Sequence, residues 1–299
     1  MRRIAIFAHY DPDQRIKGYV VRHLLALREV CAEVHFVSTA GAPAEEMAKL
    51  DGIVASCRLC ENLGYDFGMW QRATQDLVLG DLDELVLTNS SVFGPIFPLA
   101  KVFDRMQDSA CDFWGLSDNL DYEYHLQSYF IVLRRRLLRS GHLERFFASV
   151  LPYQYKHQVI RSYEVGLTHY LLDQGFVPDV VASVLDQGLR LRGLNPALFA
   201  PMAFLDRGVP YVKVELLRDN PHQIPLAKVR ARMAALGYPM NLVEVEPQPR
   251  RSTLWGSINR LRFRVRRWCQ RKDTEIPLRP LIVAMIEARR RTRLSRPAG

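Results

Sequence analysis

Residues 61–70 read ENLGYDFGMW, and QRATQDLVL follows at once. Asn62, Gly64, Asp66 and Gly68 stand within seven positions, a set that a chain turning a corner does not need. Glycine lets the backbone approach a bound molecule closely or take a positive φ. Asn62 offers both a hydrogen-bond donor and an acceptor. Asp66 can accept from a hydroxyl of a ribose or a sugar. The pattern after the decapeptide predicts a helix over 68–79, with Gly68 at its opening and free N–H groups that favour an anion. The plain alternative is that Asp66 only caps that helix.

The elements around this stretch form a regular alternation. Strands are predicted at Arg3–Ala8, at AEVHFVS, at DGIVASC and at ELVLTN, with helices at GYVVRHLLALREV and over 68–79 between them. A proline-opened helix at PIFPLAKVFDRM follows. Then come a fifth strand at DFWGLSD, a sixth at LQSYFIVLRR, a helix at RRLLRSGHLERFFASV and a helix at RSYEVGLTHYLLDQG closed by Gly175. Alternation of this kind predicts an α/β fold with a mostly parallel, Rossmann-type sheet covered by helices. Ligands of such sheets lie beyond the carboxyl ends of the strands. Those ends carry Ala8–Asp11 with His9 and Tyr10, Val37–Thr39 with Ser38, Thr88–Ser91 with Asn89 and Ser90, and Gly115–Asn119 with Asp118. Each alone is explained by turn chemistry; four at one edge favour a binding rim.

Length and composition bound the rest. With 299 residues and 48% apolar content, the chain can build one large core with an appendage. No run of about 18 uncharged apolar residues occurs, so no membrane-spanning helix is expected, and the first strand is too short for a secretory signal. Five cysteines, an odd and scattered set, argue against a disulfide framework and for a reducing compartment. Cys57 and Cys60 form a lone CxxC without the second pair a zinc site needs. Residues 250–299 hold 15 of the 41 Lys and Arg but 3 of the 32 Asp and Glu, which leaves residues 1–249 mildly acidic. The chain is therefore read as a domain over 1–245, a Pro-rich linker at EPQPRRS and a basic helical tail over 250–299. In the tail, Leu254, Ile258, Leu261, Val265 and Trp268 form an apolar seam among arginines. That pattern suits an anionic membrane surface, or a seam docked on the body.

Seven stretches together, IAIFAHYDPD, ENLGYDFGMWQRA, DELVLTNSSVFGPIFPL, CDFWGLSDN, HLQSYFIVLRR, SYEVGLTHYLLDQGF and PYVKVELLRDNP, resemble the rhamnan synthesis protein F family in order and cover roughly residues 3–225. The resemblance implies a GT-A-type fold and an inverting glycosyltransferase. The expected donor is a nucleotide-sugar, dTDP-rhamnose, and the acceptor a growing surface polysaccharide or a lipid-linked glycan. The expected location is cytoplasmic, peripheral at the inner face of the plasma membrane. GT-A enzymes usually hold Mg²⁺ or Mn²⁺ on an Asp-x-Asp motif. Here Asn89-Ser90-Ser91 stands in its place, and neutral oxygens bind hard cations less well than carboxylates. No metal is expected with certainty; Asn89 and Ser91 are the ligands if one binds.

Inverting transfer needs a base for the acceptor hydroxyl and a stabiliser for the leaving diphosphate. The resemblance implies Glu164, at the start of a predicted helix, as the base, with Asp118 second. The helix dipole alone also explains a Glu there. Lys213 and Arg218 are the candidate diphosphate cations, with a solvated surface pair as the alternative. The implied donor site comprises His9, Tyr10, Ser38, Asn62, Gly64, Asp66, Gly68, Asn89, Ser90, Ser91, Lys213 and Arg218, with Tyr10 placed to stack on the base. Trp114, Tyr124, His125 and Gln127 are the implied acceptor surface. Two other classes compete: a non-catalytic nucleotide-sugar or glycan binder, favoured by the missing Asp-x-Asp, and a nucleic-acid binder, for which only the basic tail speaks. No nucleic-acid partner is expected.

Overall fold

The computed structural model describes residues 1–39, 41, 43–184 and 195–245. The predicted basic tail lies outside the described residues. The strands are β1 Arg3–His9, β2 Glu33–Ser38, β3 Ser56–Leu59, β4 Glu84–Asn89, β5 Val92–Phe93, β6 Phe113–Asn119, β7 His125–Leu126, β8 Phe130–Arg134, β9 Pro178–Ala182 and β10 Val212–Lys213. They form one eight-stranded sheet in the order β3-β2-β1-β4-β8-β6-β7, with β9 also paired to β6. β5 and β10 make a separate antiparallel ribbon. β3, β2, β1 and β4 run parallel, and so do β6 and β9. β8 is inserted antiparallel between β4 and β6. This is the mostly parallel, helix-covered α/β sheet expected.

Alternation along β1 divides the interior in two. Ala5 and Phe7 face one core with Val20, Leu24 and Leu27 of the helix Gly18–Arg28. Ile4, Ile6 and Ala8 face the other with Phe67, Met69 and Trp70 of the helix Tyr65–Thr74. All seven β1 residues are buried, as a central strand covered on both faces requires.

Several boundaries differ from expectation. Residues 51–53 turn, and the third strand starts only at Ser56. The helix predicted over 68–79 begins at Tyr65 and ends at Thr74, because Gly64, at φ +82°, provides a left-handed entry three residues earlier. The helix after PIFP starts at Leu99. His125–Leu126 forms its own short strand, so β8 begins at Phe130. The helix carrying Glu164 starts at Lys156 and runs to Asp173, widened to π-helical geometry over Ile160–Val165. Gly175 closes it at φ +78°, as predicted.

At the amino ends of the strands, Glu84 of β4 receives Arg3 of β1 at 2.6 Å and Arg134 of β8 at 3.2 Å. Glu84 and Arg3 are buried, and the Arg3 guanidinium also lies 3.7 Å above the Phe103 ring centroid. Removing the carboxylate would strand Arg3 and Arg134 in a site of low polarity. Glu84→Ala is expected to lower the unfolding free energy by about 3–5 kcal/mol, read from urea denaturation.

Candidate active site

The carboxyl end of β4 is organised by one amide. Asn89 is buried, and its Nδ2 donates to Asp66 Oδ2 at 2.8 Å. Its Oδ1 accepts from the Ser91 N–H at 3.1 Å and the Ser91 hydroxyl at 2.6 Å. The Ser91 carbonyl accepts from the Val214 N–H at 2.9 Å, next to Lys213, which pairs with Val92 across the β5–β10 ribbon. A single side chain thus links the helix of Asp66, the end of β4 and the strand of Lys213.

Five charged groups gather around this point: Asp66, Glu164, Lys156, Lys213 and Glu215. Glu164 Oε1 accepts the Ser128 N–H at 2.8 Å. Burial raises the Asp66 carboxyl to a pKa of about 6, and the Glu164 charge adds to the rise. Lys156, Lys213 and the Asn89 bond oppose it. Burial lowers the Lys213 ammonium while Glu164, Glu215 and Asp66 hold it up. Its Nζ sits 4.5 Å from the Tyr129 ring centroid, a cation–π contact. Lys156 also reaches Glu215 at 3.6 Å. Charges that act on Asp66 and Lys213 together in this way border one cleft. The sequence reading missed Lys156, Glu215, Ser128 and Tyr129 as members. Ser128 and Tyr129 arrive through the antiparallel placement of β8, Lys156 at the start of the helix that carries Glu164, and Glu215 in the helix that follows Lys213.

The rim residues divide by exposure. Tyr10 is 51% exposed, and its N–H donates to Ser90 Oγ at 3.3 Å. His9, by contrast, ends β1 buried and bonds Ser38 Oγ through Nδ1 at 2.9 Å. Burial lowers its pKa to about 4, so at neutral pH it is an uncharged partner for Ser38. Arg218 lies exposed, with its fork filled by Asp219 at 2.9 and 2.8 Å; its charge still reaches Tyr19, whose hydroxyl donates to the Ser90 carbonyl at 3.0 Å. Asn62 is exposed in the loop before the helix.

Several expectations are corrected. Gly68 does not open its helix. Its N–H is already bonded to the Gly64 carbonyl at 3.0 Å, and a Cβ there would stand 2.0 Å from the Leu63 carbonyl oxygen. The close approach its sequence pattern implies is made by the chain itself. Glu164 does not sit at a helix start but two turns in, so the helix dipole does not account for it. Asp118 is fully buried at the end of β6, accepting Ser183 Oγ and the Val184 N–H, each at 2.6 Å; this carboxylate ties β6 to the end of β9. Trp114 is a core residue packed against Phe103 and Phe130, because its inward position in β6 faces the sheet's cover. His125 and Gln127 are also buried. Gln127 accepts from Ser117 Oγ at 3.1 Å and donates to Asn195 at 2.8 Å, and His125 Nδ1 bonds the Glu123 carbonyl at 2.8 Å. Tyr124 is half-buried, and its carbonyl bonds His169 at 3.1 Å. These four residues do not form an open acceptor face.

The strand-end position does not fit Mg²⁺ or Mn²⁺. The Asn89 oxygen is filled by Ser91, and its amide N–H points at Asp66. Among the described residues no group of three His, Cys, Asp or Glu is arranged to hold a metal ion. No described helix is long and apolar enough to cross a membrane.

The α/β sheet thus carries a carboxylate–lysine cleft at its carboxyl edge. The chain belongs to the rhamnan synthesis protein F family, whose model matches residues 34–246. Virulence protein VirA of Vibrio anguillarum is 27% identical over 206 residues, covering 56% of this chain and 66% of VirA. Protein y4gN of Sinorhizobium fredii is 26% identical over 150 residues, 46% of this chain and 39% of y4gN. The chain thus spans less than two thirds of the length of these relatives. A nucleotide-diphospho-sugar transferase structure from Desulfovibrio desulfuricans aligns over 69% of this chain and 95% of its own, at 16% identity and a TM-score of 0.36.

Because Asp66 titrates higher in the fold than the usual 3.8, its ionisation opposes folding. That cost is absent below about pH 4 and complete above about pH 6. Asp66→Asn keeps an acceptor for Asn89 and removes the charge. It is expected to be more stable than the native chain at pH 7 by roughly 1–2 kcal/mol, with the gain vanishing near pH 4. Urea unfolding at the two pH values measures it.

Proposed function

We propose that the chain transfers rhamnose from dTDP-rhamnose to a growing cell-surface polysaccharide or lipid-linked glycan, with inversion at the anomeric carbon. The observation that carries this reading is the convergence of Asp66, Glu164 and Lys213 at Asn89, the strand end where this fold class binds ligands. Family membership supports polysaccharide synthesis and rhamnose as the sugar, and a surface glycan accords with a relative named as a virulence protein.

In this reading Glu164, oriented by the Ser128 N–H, takes the proton of the acceptor hydroxyl. That oxygen attacks the anomeric carbon from the face opposite the diphosphate. The anomeric C–O bond breaks, and its electron pair leaves on the dTDP oxygen. Lys213 stabilises the charge that develops there, a role carried by protein cations where Asn89 stands in for a metal-binding carboxylate. Arg218 joins it by exchanging Asp219 for phosphate oxygens. Asp66, aligned by Asn89, accepts a hydrogen bond from a donor hydroxyl. Tyr10 offers an exposed ring for the nucleobase, and Asn62 an amide at the rim. Glu164→Gln is expected to cut dTDP release by about 10²- to 10⁴-fold while dTDP-rhamnose affinity stays within about twofold. Full turnover in that variant places the base elsewhere. Native protein that binds dTDP-rhamnose without releasing dTDP favours the non-catalytic binder.

We further place the chain at the cytoplasmic face of the plasma membrane, through the basic seam of residues 254–268. Replacing Arg262, Arg264, Arg266 and Arg267 with Ser in the full chain is expected to weaken binding to anionic vesicles by roughly a thousandfold, at about 1 kcal/mol per arginine. Unchanged co-sedimentation would instead dock the seam on protein.

A further inference from the structure

With Trp114, His125 and Gln127 buried, the acceptor has no assigned place, and the segment 151–157 offers one. Of its residues, Leu151, Pro152, Gln154, Tyr155, Lys156 and His157 are exposed. Leu151 stands at 56% and Tyr155 at 62%, although both are apolar-bodied side chains. Exposure here does not come from a loose loop. The Leu151 N–H donates to Tyr163 Oη at 2.6 Å, and the Tyr163 hydroxyl returns a bond to the Leu151 carbonyl at 3.1 Å. Tyr153 stacks on Tyr163 at 5.5 Å and 24°. Tyr65 Oη donates to the Gln154 carbonyl at 3.1 Å. Gln71 Nε2 holds the Phe147 and Val150 carbonyls at 2.6 and 3.2 Å.

Two of these anchors belong to the site's own elements. Tyr163 immediately precedes Glu164, and Tyr65 immediately precedes Asp66. Lys156 bonds Glu215 and is felt by both Asp66 and Lys213, so the segment borders the cleft. At its outer end the Tyr155 and His157 rings stack at 5.8 Å and 27°. The exposed Tyr155 ring, on a backbone anchored at Leu151 and Gln154, matches the apolar C–H face of a sugar ring. The charges of Lys156 and Glu215 offset each other, so this rim suits a neutral saccharide better than an anion.

We propose that residues 151–157 form the acceptor subsite, with the Tyr155–His157 ring pair as the platform for a sugar of a neutral glycan chain. The inference rests on the transferase reading for its biological meaning, and its test is independent of turnover. The full chain is titrated with an α-linked rhamnose trisaccharide and with maltotriose, followed by saturation-transfer NMR. The native chain is expected to bind at least one of them. Tyr155→Ala is expected to weaken that binding about tenfold, Tyr155→Trp to retain it, and dTDP binding to be unchanged in both. Native protein that binds neither trisaccharide, or Tyr155→Ala protein that binds as the native chain does, overturns the platform. Release of dTDP from dTDP-rhamnose is read separately. Saccharide binding through Tyr155 without any dTDP release sinks the transferase reading and leaves the platform standing.

Discussion

The Asn89 side chain is the joint on which the cleft depends. Its two ends point in opposite directions, one donating to Asp66 and the other accepting from Ser91. A carboxylate at this position could not donate to Asp66, and two acids facing each other there would repel. The amide at this position therefore supplies the donor that holds Asp66 at the strand end. The same amide orders the turn into β5, and through Ser91 it sets the register of the segment that presents Lys213.

Around that joint the electrostatics are mutual. The Glu164 charge adds to the cost of ionising Asp66, and Lys156 and Lys213 lower it again. Such a cluster is expensive to bury without all of its members. The cost is tolerable because each group has a fixed partner: Ser128 for Glu164, Asn89 for Asp66, the Tyr129 ring for Lys213 and Glu215 for Lys156. The resulting field is arranged before any ligand arrives, which is the condition for stabilising charge that appears only during a reaction.

Sheet topology explains why these partners meet. β8 runs against its neighbours β4 and β6, so its amino end lies at the edge where the parallel strands finish. Ser128 and Tyr129, which precede β8, are thereby delivered to the cleft. The Arg3–Glu84–Arg134 cluster, on β1, β4 and β8, closes the opposite edge of the sheet. One end of the sheet satisfies its charges internally, while the other keeps three carboxyls and two ammonium groups around the cleft.

Much of this was legible in the residues. Strand–helix alternation with apolar, β-branched strands dictates a mostly parallel covered sheet, and short polar residues at strand ends mark its binding edge, because those patterns are local consequences of burial and turn chemistry. Asp66 stands out as a carboxylate between two glycines and Asn89 as a polar strand end, whereas Glu164 and Lys213 are singled out only through the family resemblance and the chemistry it implies. What the pattern could not reveal was direction and depth. Whether Trp114 or Gln127 faces solvent depends on which layer covers β6, a long-range fact. Gly68 looked like ligand space and is filled by the chain's own Leu63 carbonyl. Ser128 joins the cleft only through an antiparallel strand, and Lys156 only through the helix that also carries Glu164, neither written in any short motif. Residue chemistry and rough element order are set along the chain; which charges share a cleft is decided by packing, since electrostatic coupling follows distance in space rather than in sequence.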